Sequence, residues 1–84
     1  MYEIIFFERA EKQFKKLPFE IRERISNVLE RIKIRPLQFD AIKKLVNSPY
    51  YRLRVGDYRI ILDIQQNKLI VFVIELGHRK NIYK

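Results

Sequence analysis

Hydrophobic positions along the chain change period in a way that marks out its elements. Tyr2 to Phe7 is short, aromatic and β-branched, which predicts a first strand. From Glu8 to Leu17 the apolar residues Ala10, Phe14 and Leu17 fall on one helical face. Acids open that segment and lysines close it, as the helix dipole favours. Pro18 suits the first turn of a second helix. Ile21, Ile25, Val28, Leu29 and Ile32 then keep helical spacing. Pro36 should end that helix, because the residue before a proline resists the α conformation. Two successive helices of this kind predict a hairpin.

The second half reads as strands. Leu37 to Ser48 carries no clear period and is assigned to a turn and a connecting segment. Tyr50 to Val55 and Tyr58 to Ile64 both alternate, and Gly56-Asp57 lies between them. That pair predicts a tight hairpin, since Gly accepts the positive φ such loops need. Gln65-Gln66-Asn67 is the next turn. Leu69 to Ile74 is a continuous apolar run, the signature of a strand covered on both faces. Gly77 is expected to break it before a basic tail to Lys84. The order predicts an α+β fold over residues 1–84 as one domain. An N-terminal strand leads to an α-helical hairpin and a three-stranded antiparallel meander, in one sheet with the helices on one face.

Strand alternation then sorts side chains by face. Tyr50, Arg52 and Arg54 share one face; Tyr51, Leu53 and Val55 share the other. A two-residue loop at Gly56-Asp57 sets Val55 opposite Tyr58, Arg54 opposite Arg59 and Arg52 opposite Ile61. The apolar set belongs against the helices, so three arginines converge on the open face. Like charges directly across an antiparallel pair are destabilising, so stability alone does not account for them. Convergent guanidiniums make a cradle for phosphate, which arginine binds in bidentate fashion. The plainer alternative is a solvated basic face helped by Asp63. Tyr50 lies beside the arginines, where an aromatic ring can stack on a base. The tail adds His78, Arg79, Lys80 and Tyr83, and the hairpin order allows it to fold back to the same face.

Composition narrows the partners. The 84 residues are 48% apolar and 33% charged, a balance of globular proteins, and the net charge is +8. Residues 41–84 hold nine Lys/Arg against three Asp/Glu, while residues 1–40 hold nine against seven. The excess of positive charge, and with it a polyanion site, therefore belongs to the C-terminal half. The chain has no cysteine, which excludes disulfides and thiolate metal sites. No second histidine or carboxylate cluster accompanies His78, so neither a metal nor another cofactor is expected. No glycine-rich phosphate loop and no Ser/His/Asp or Cys/His arrangement can be assembled. Met1 to Ile5 shows no basic stretch and no cleavage site, so it is not expected to be a signal peptide; with no apolar run of ~18 residues, the expected location is cytoplasmic with no membrane partner.

With these residues in view, a family resemblance emerges. Tyr51-Arg52-Leu53-Arg54-Val55-Gly56-Asp57-Tyr58-Arg59-Ile60-Ile61 resembles the core motif of RelE/ParE-superfamily toxins. Gly77-His78-Arg79-Lys80-Asn81-Ile82-Tyr83 resembles their closing motif, and Phe7 to Leu17 their first helix. The likeness runs over nearly the whole chain and implies a RelE-like fold. For the RelE branch it implies a ribosome-dependent endoribonuclease that cuts mRNA in the ribosomal A site. No metal takes part; the substrate's 2′-hydroxyl attacks the neighbouring phosphate. The implied catalytic residues are Arg54, Arg59, Arg79 and Tyr83, and the implied RNA-binding residues are Tyr50, Arg52, His78 and Lys80. Arginines would stabilise the phosphorane charge, and Tyr83 or His78 would move a proton or stack on a base. The implied partner is an acidic RelB-like antitoxin in a toxin–antitoxin hetero-oligomer.

Three departures stand out. Leu62 replaces an aromatic found in many relatives. No carboxylate is evident among the arginines. The chain stops one residue after Tyr83, without the last helix of some relatives. Two other functions fit the same fold: a ParE-type inhibitor of DNA gyrase, and a non-catalytic RNA- or protein-binding module. The complete tail motif favours the nuclease.

Overall fold

In the computed structural model, which describes residues 1–78, eight elements follow one another. They are β1 (Glu3–Phe6), α1 (Glu8–Lys15), α2 (Phe19–Ile32), a 3-10 turn (Pro36–Gln38), β2 (Ile42–Lys44), β3 (Tyr51–Val55), β4 (Tyr58–Gln65) and β5 (Ile70–His78). The described residues form one five-stranded sheet in the order β1-β5-β4-β3-β2. The predicted antiparallel meander is β3-β4-β5, and β1 joins it parallel to β5. The helical connection from β1 to the far side of the sheet lets the first and last strands pair as neighbours.

The helices cover one face. Ala10, Ile25, Leu29 and Ile32 are buried against Leu53, Val55, Ile60, Leu62, Val71, Val73 and Leu76, with Phe14, Leu17, Ile21 and Val28 packed around them. These are the apolar positions whose spacing predicted the helices. Each fully buried Leu, Ile or Val contributes about 1.5–3 kcal/mol. An eight-residue helix such as α1 does not hold by itself in water. It is fixed by Ala10, by Phe14 lying 5.4 Å from the Phe6 ring, and by the Gln13 side-chain oxygen, which accepts a 2.8 Å bond from the Leu76 amide.

That amide bond marks an irregularity in β5. Ile61 pairs with Glu75 but Leu62 pairs with Val73, leaving Ile74 as an extra residue. The bulge shifts the alternation by one, so Val71 and Val73 on one side of it and Leu76 on the other all reach the helical core.

Several expectations change. The segment read as a plain connection contains β2, which pairs with β3 and makes the far edge of the sheet. At three residues its period is too short to see in sequence. α2 ends at Ile32, before Pro36, and the Lys33 carbonyl accepts a bond from the Tyr2 amide. Gly77 does not break β5: the strand runs through it to His78, with Gly77 paired to Arg59. Glycine weakens a strand on its own, but here the β4 ladder holds it.

Candidate functional site

The hairpin register is the one alternation predicted. Val55 pairs with Tyr58, Arg54 with Arg59 and Arg52 with Ile61. Gly56 takes φ +59 at the first loop position, the conformation a two-residue loop needs and an L side chain resists. Leu53 and Val55 are buried toward the helices, so Arg52, Arg54 and Arg59 lie on the opposite face.

The three differ in exposure. Arg54 is exposed and Arg52 half-buried, whereas Arg59 is 7% exposed. Arg59 lies on β4, with Arg54 across from it on β3 and Gly77 on β5. The picture of three equally open guanidiniums is therefore corrected. A central strand shields its side chains more than an outer one, and alternation cannot reveal which strand is central. A cation held out of water interacts more strongly with any anion that reaches it.

An open hollow of about 620 Å³ lies on this arginine face and toward the hairpin tip. Arg52, Arg54 and Gly56 line it together with Lys43, Asp40 and Asp57. Lys43 pairs with Arg52 from β2 and was missed in sequence, because its strand was not recognised. The two aspartates correct a second expectation, that no carboxylate stands near the arginines. Asp57 comes from the predicted hairpin loop, close to the arginines in sequence, whereas Asp40 comes from the approach to β2 and only folding brings it there.

Tyr50 precedes β3 and is 37% exposed, with its amide donating to the Ser48 hydroxyl and its carbonyl accepting from Leu45. His78 falls elsewhere. It pairs with Tyr58, whose face is the helical one, and the two rings meet edge-on at 5.5 Å. Lys16, Leu17 and Pro18, which follow α1, line a cavity together with Tyr58 and His78. The structure thus groups Arg52, Arg54 and Arg59 and places His78 on the other side of the sheet. Arg79, Lys80 and Tyr83 lie outside the described residues. Among the described residues, no three His, Cys, Asp or Glu side chains converge as metal ligands would. Nor is any described helix long and apolar enough to cross a membrane.

Comparison with known proteins shows the family to which this fold belongs. The family model described as the ParE toxin of type II toxin–antitoxin systems matches residues 4–83. A RelE toxin of Methanocaldococcus jannaschii is 32% identical over 84 residues, covering 95% of this chain and 93% of the relative. The mRNA interferase toxin RelE of Escherichia coli is 29% identical over 80 residues, covering 94% of this chain and 84% of its own. The crystal structure of the intact E. coli RelBE toxin–antitoxin complex superimposes with a TM-score of 0.82 at 30% identity, over 93% of this chain and 96% of that one. From the matched motif, the strand register and these relatives together, the chain belongs to the RelE/ParE superfamily of type II toxin–antitoxin toxins, on its RelE branch.

Proposed function

We propose that this protein is a ribosome-dependent endoribonuclease that cuts mRNA in the A site and so halts translation in the cytoplasm. The observation that carries the reading is the cationic hollow of Lys43, Arg52 and Arg54, with Arg59 held across from Arg54. It is a surface suited to a phosphodiester under attack. In this reading the 2′-oxygen of the nucleotide before the cut bonds to phosphorus and gives up its proton to a base. The bond from phosphorus to the 5′-oxygen breaks, and that oxygen takes up a proton. A 2′,3′-cyclic phosphate and a 5′-hydroxyl remain, with no metal ion needed to supply the nucleophile.

Arg54, Arg59 and Arg79 stabilise the charge that builds on the phosphorane, where one well-aimed donor is worth ~3 kcal/mol. Arg52, Lys43 and Lys80 hold flanking phosphates, and Tyr50 offers a ring for stacking. Because His78 lies with Tyr58 on the helical side, Tyr83 is the better candidate to carry a proton. Asp40 and Asp57 are the carboxylates placed to accept one.

The partner in this reading is an antitoxin, as in the RelB–RelE complexes of the relatives, and here an acidic one. Its helical segment would lie in a groove of about 500 Å³ beside the hairpin, lined by the apolar Ile4, Phe6, Phe14 and Leu29 and by charges of both signs, Lys15, Arg22 and Lys33 with Glu11 and Glu30, the last paired to Lys33 at 2.8 Å. The net charge of +8 supports an acidic partner.

The ParE description of the matching family model favours one second reading, inhibition of DNA gyrase. Purified protein added to mRNA-programmed ribosomes and, separately, to a gyrase supercoiling assay separates the two. The expected result is message cut in the A site, with the upstream fragment ending in a 2′,3′-cyclic phosphate. Uncut message with blocked supercoiling would transfer the proposal to gyrase. A 3′-hydroxyl end would replace the 2′-hydroxyl mechanism with hydrolysis.

A further inference from the structure

One cation beside the hollow comes from the helical layer rather than the sheet. Arg24 lies on α2 next to buried Ile25, and its guanidinium reaches the hairpin loop at Gly56. A Cβ built on Gly56 would stand 3.3 Å from Arg24 Nη1, 3.5 Å from Cζ and 3.6 Å from Nη2. Three atoms of a planar group at nearly equal distance mean that the guanidinium lies broadside over the glycine. Its N–H donors point within its own plane, so this stacking occupies the face and leaves the donor edge open. Arg24 is exposed, and among the described residues no carboxylate lies in ion-pair range of it and no hydrogen bond engages it. Gly56, over which it sits, also lines the hollow that holds Arg52 and Arg54.

We infer that Arg24 is an additional phosphate-binding residue, which extends the arginine site over the Gly56-Asp57 loop and holds a backbone phosphate of the RNA next to those at Arg52 and Arg54. The inference rests on the RNA-cleaving reading above and adds a contact from a separate layer of the fold. It also gives Gly56 a second role. The positive φ needs a residue tolerant of the left-handed region, which asparagine also is, but the space beside the loop needs the absence of a side chain. A Cβ at position 56 would make the guanidinium give by a few tenths of an ångström, and a longer side chain would displace it further.

The test is equilibrium binding of a single-stranded 2′-O-methyl RNA oligonucleotide, which has no free 2′-hydroxyl, across a range of salt concentrations. Wild-type protein should bind with affinity that falls steeply with salt. Losing one phosphate contact from a single strand lowers the log–log slope by ~0.7. That change is expected for R24A, with R24K keeping the wild-type slope and G56N reproducing the loss at an unchanged circular-dichroism spectrum. If R24A keeps the wild-type slope, Arg24 only packs on the loop; the inference then falls and the reading of the site stands. If the wild-type protein itself shows no salt-dependent binding, the reading of the arginine hollow as a phosphate site falls and this inference with it.

Discussion

Leu53 and Arg54 are neighbours in β3 that point to opposite faces, so truncating each in turn separates folding from chemistry. Leu53 is fully buried and lies between Ile42 and Ile60 in the sheet, both of them core residues. Its replacement by Ala leaves a cavity that the rigid sheet cannot close, at a cost of about 3 kcal/mol. For a chain of this length each kcal/mol shifts Tm by about 4–8 °C, so L53A should melt roughly 12–24 °C lower. That cost is a large share of the total stability, which is about 4–13 kcal/mol for a protein of this size. Arg54 is exposed and faces Arg59 across the pair. R54A relieves a like-charge contact and should stay within about 0.5 kcal/mol of wild type, or rise slightly. Cleavage on programmed ribosomes should fall about a hundredfold or more, since it loses one donor to the transition state. Thermal melts and a cleavage assay on the two variants decide the matter. If R54A melts as early as L53A, or cuts at the wild-type rate, Arg54 is not a solvent-facing active-site residue and the face assignment is wrong.

Two further outcomes follow from burial and backbone geometry. Arg59 is buried where Arg54 is not, so R59A should lose packing along the side-chain stem and cost about 1–2 kcal/mol, unlike R54A; urea denaturation of both variants checks this, and equal stabilities would contradict the burial. Leu69 is an exposed non-glycine residue at φ 56 in the turn before β5, so L69N should raise stability by about 0.5–1 kcal/mol, read as a higher Tm with cleavage unchanged.

Much of this protein is written locally. Helical spacing from Ala10 to Ile32, two alternating runs around Gly56-Asp57 and the apolar run near Val71 specify the helical hairpin and the meander, because each is a pattern within one element. The pairing of Arg54 with Arg59 is legible for the same reason, since a two-residue loop leaves one register. What sequence could not show are relations between elements. β2 has three residues and exists only because β3 offers a free edge. β1 lies parallel to β5 across sixty-odd residues of intervening chain, which no local pattern encodes. The bulge at Ile74 realigns β5 on its two sides, and Gly77 stays in the strand because Arg59 pairs with it. The site follows the same division. Its arginines could be named from alternation alone, but the burial of Arg59 depends on β4 being central, and the presence of Lys43, Asp40 and Arg24 depends on loops and layers meeting in space. Periodicity decides which way a side chain points along its own strand or helix; only packing decides what it finds there.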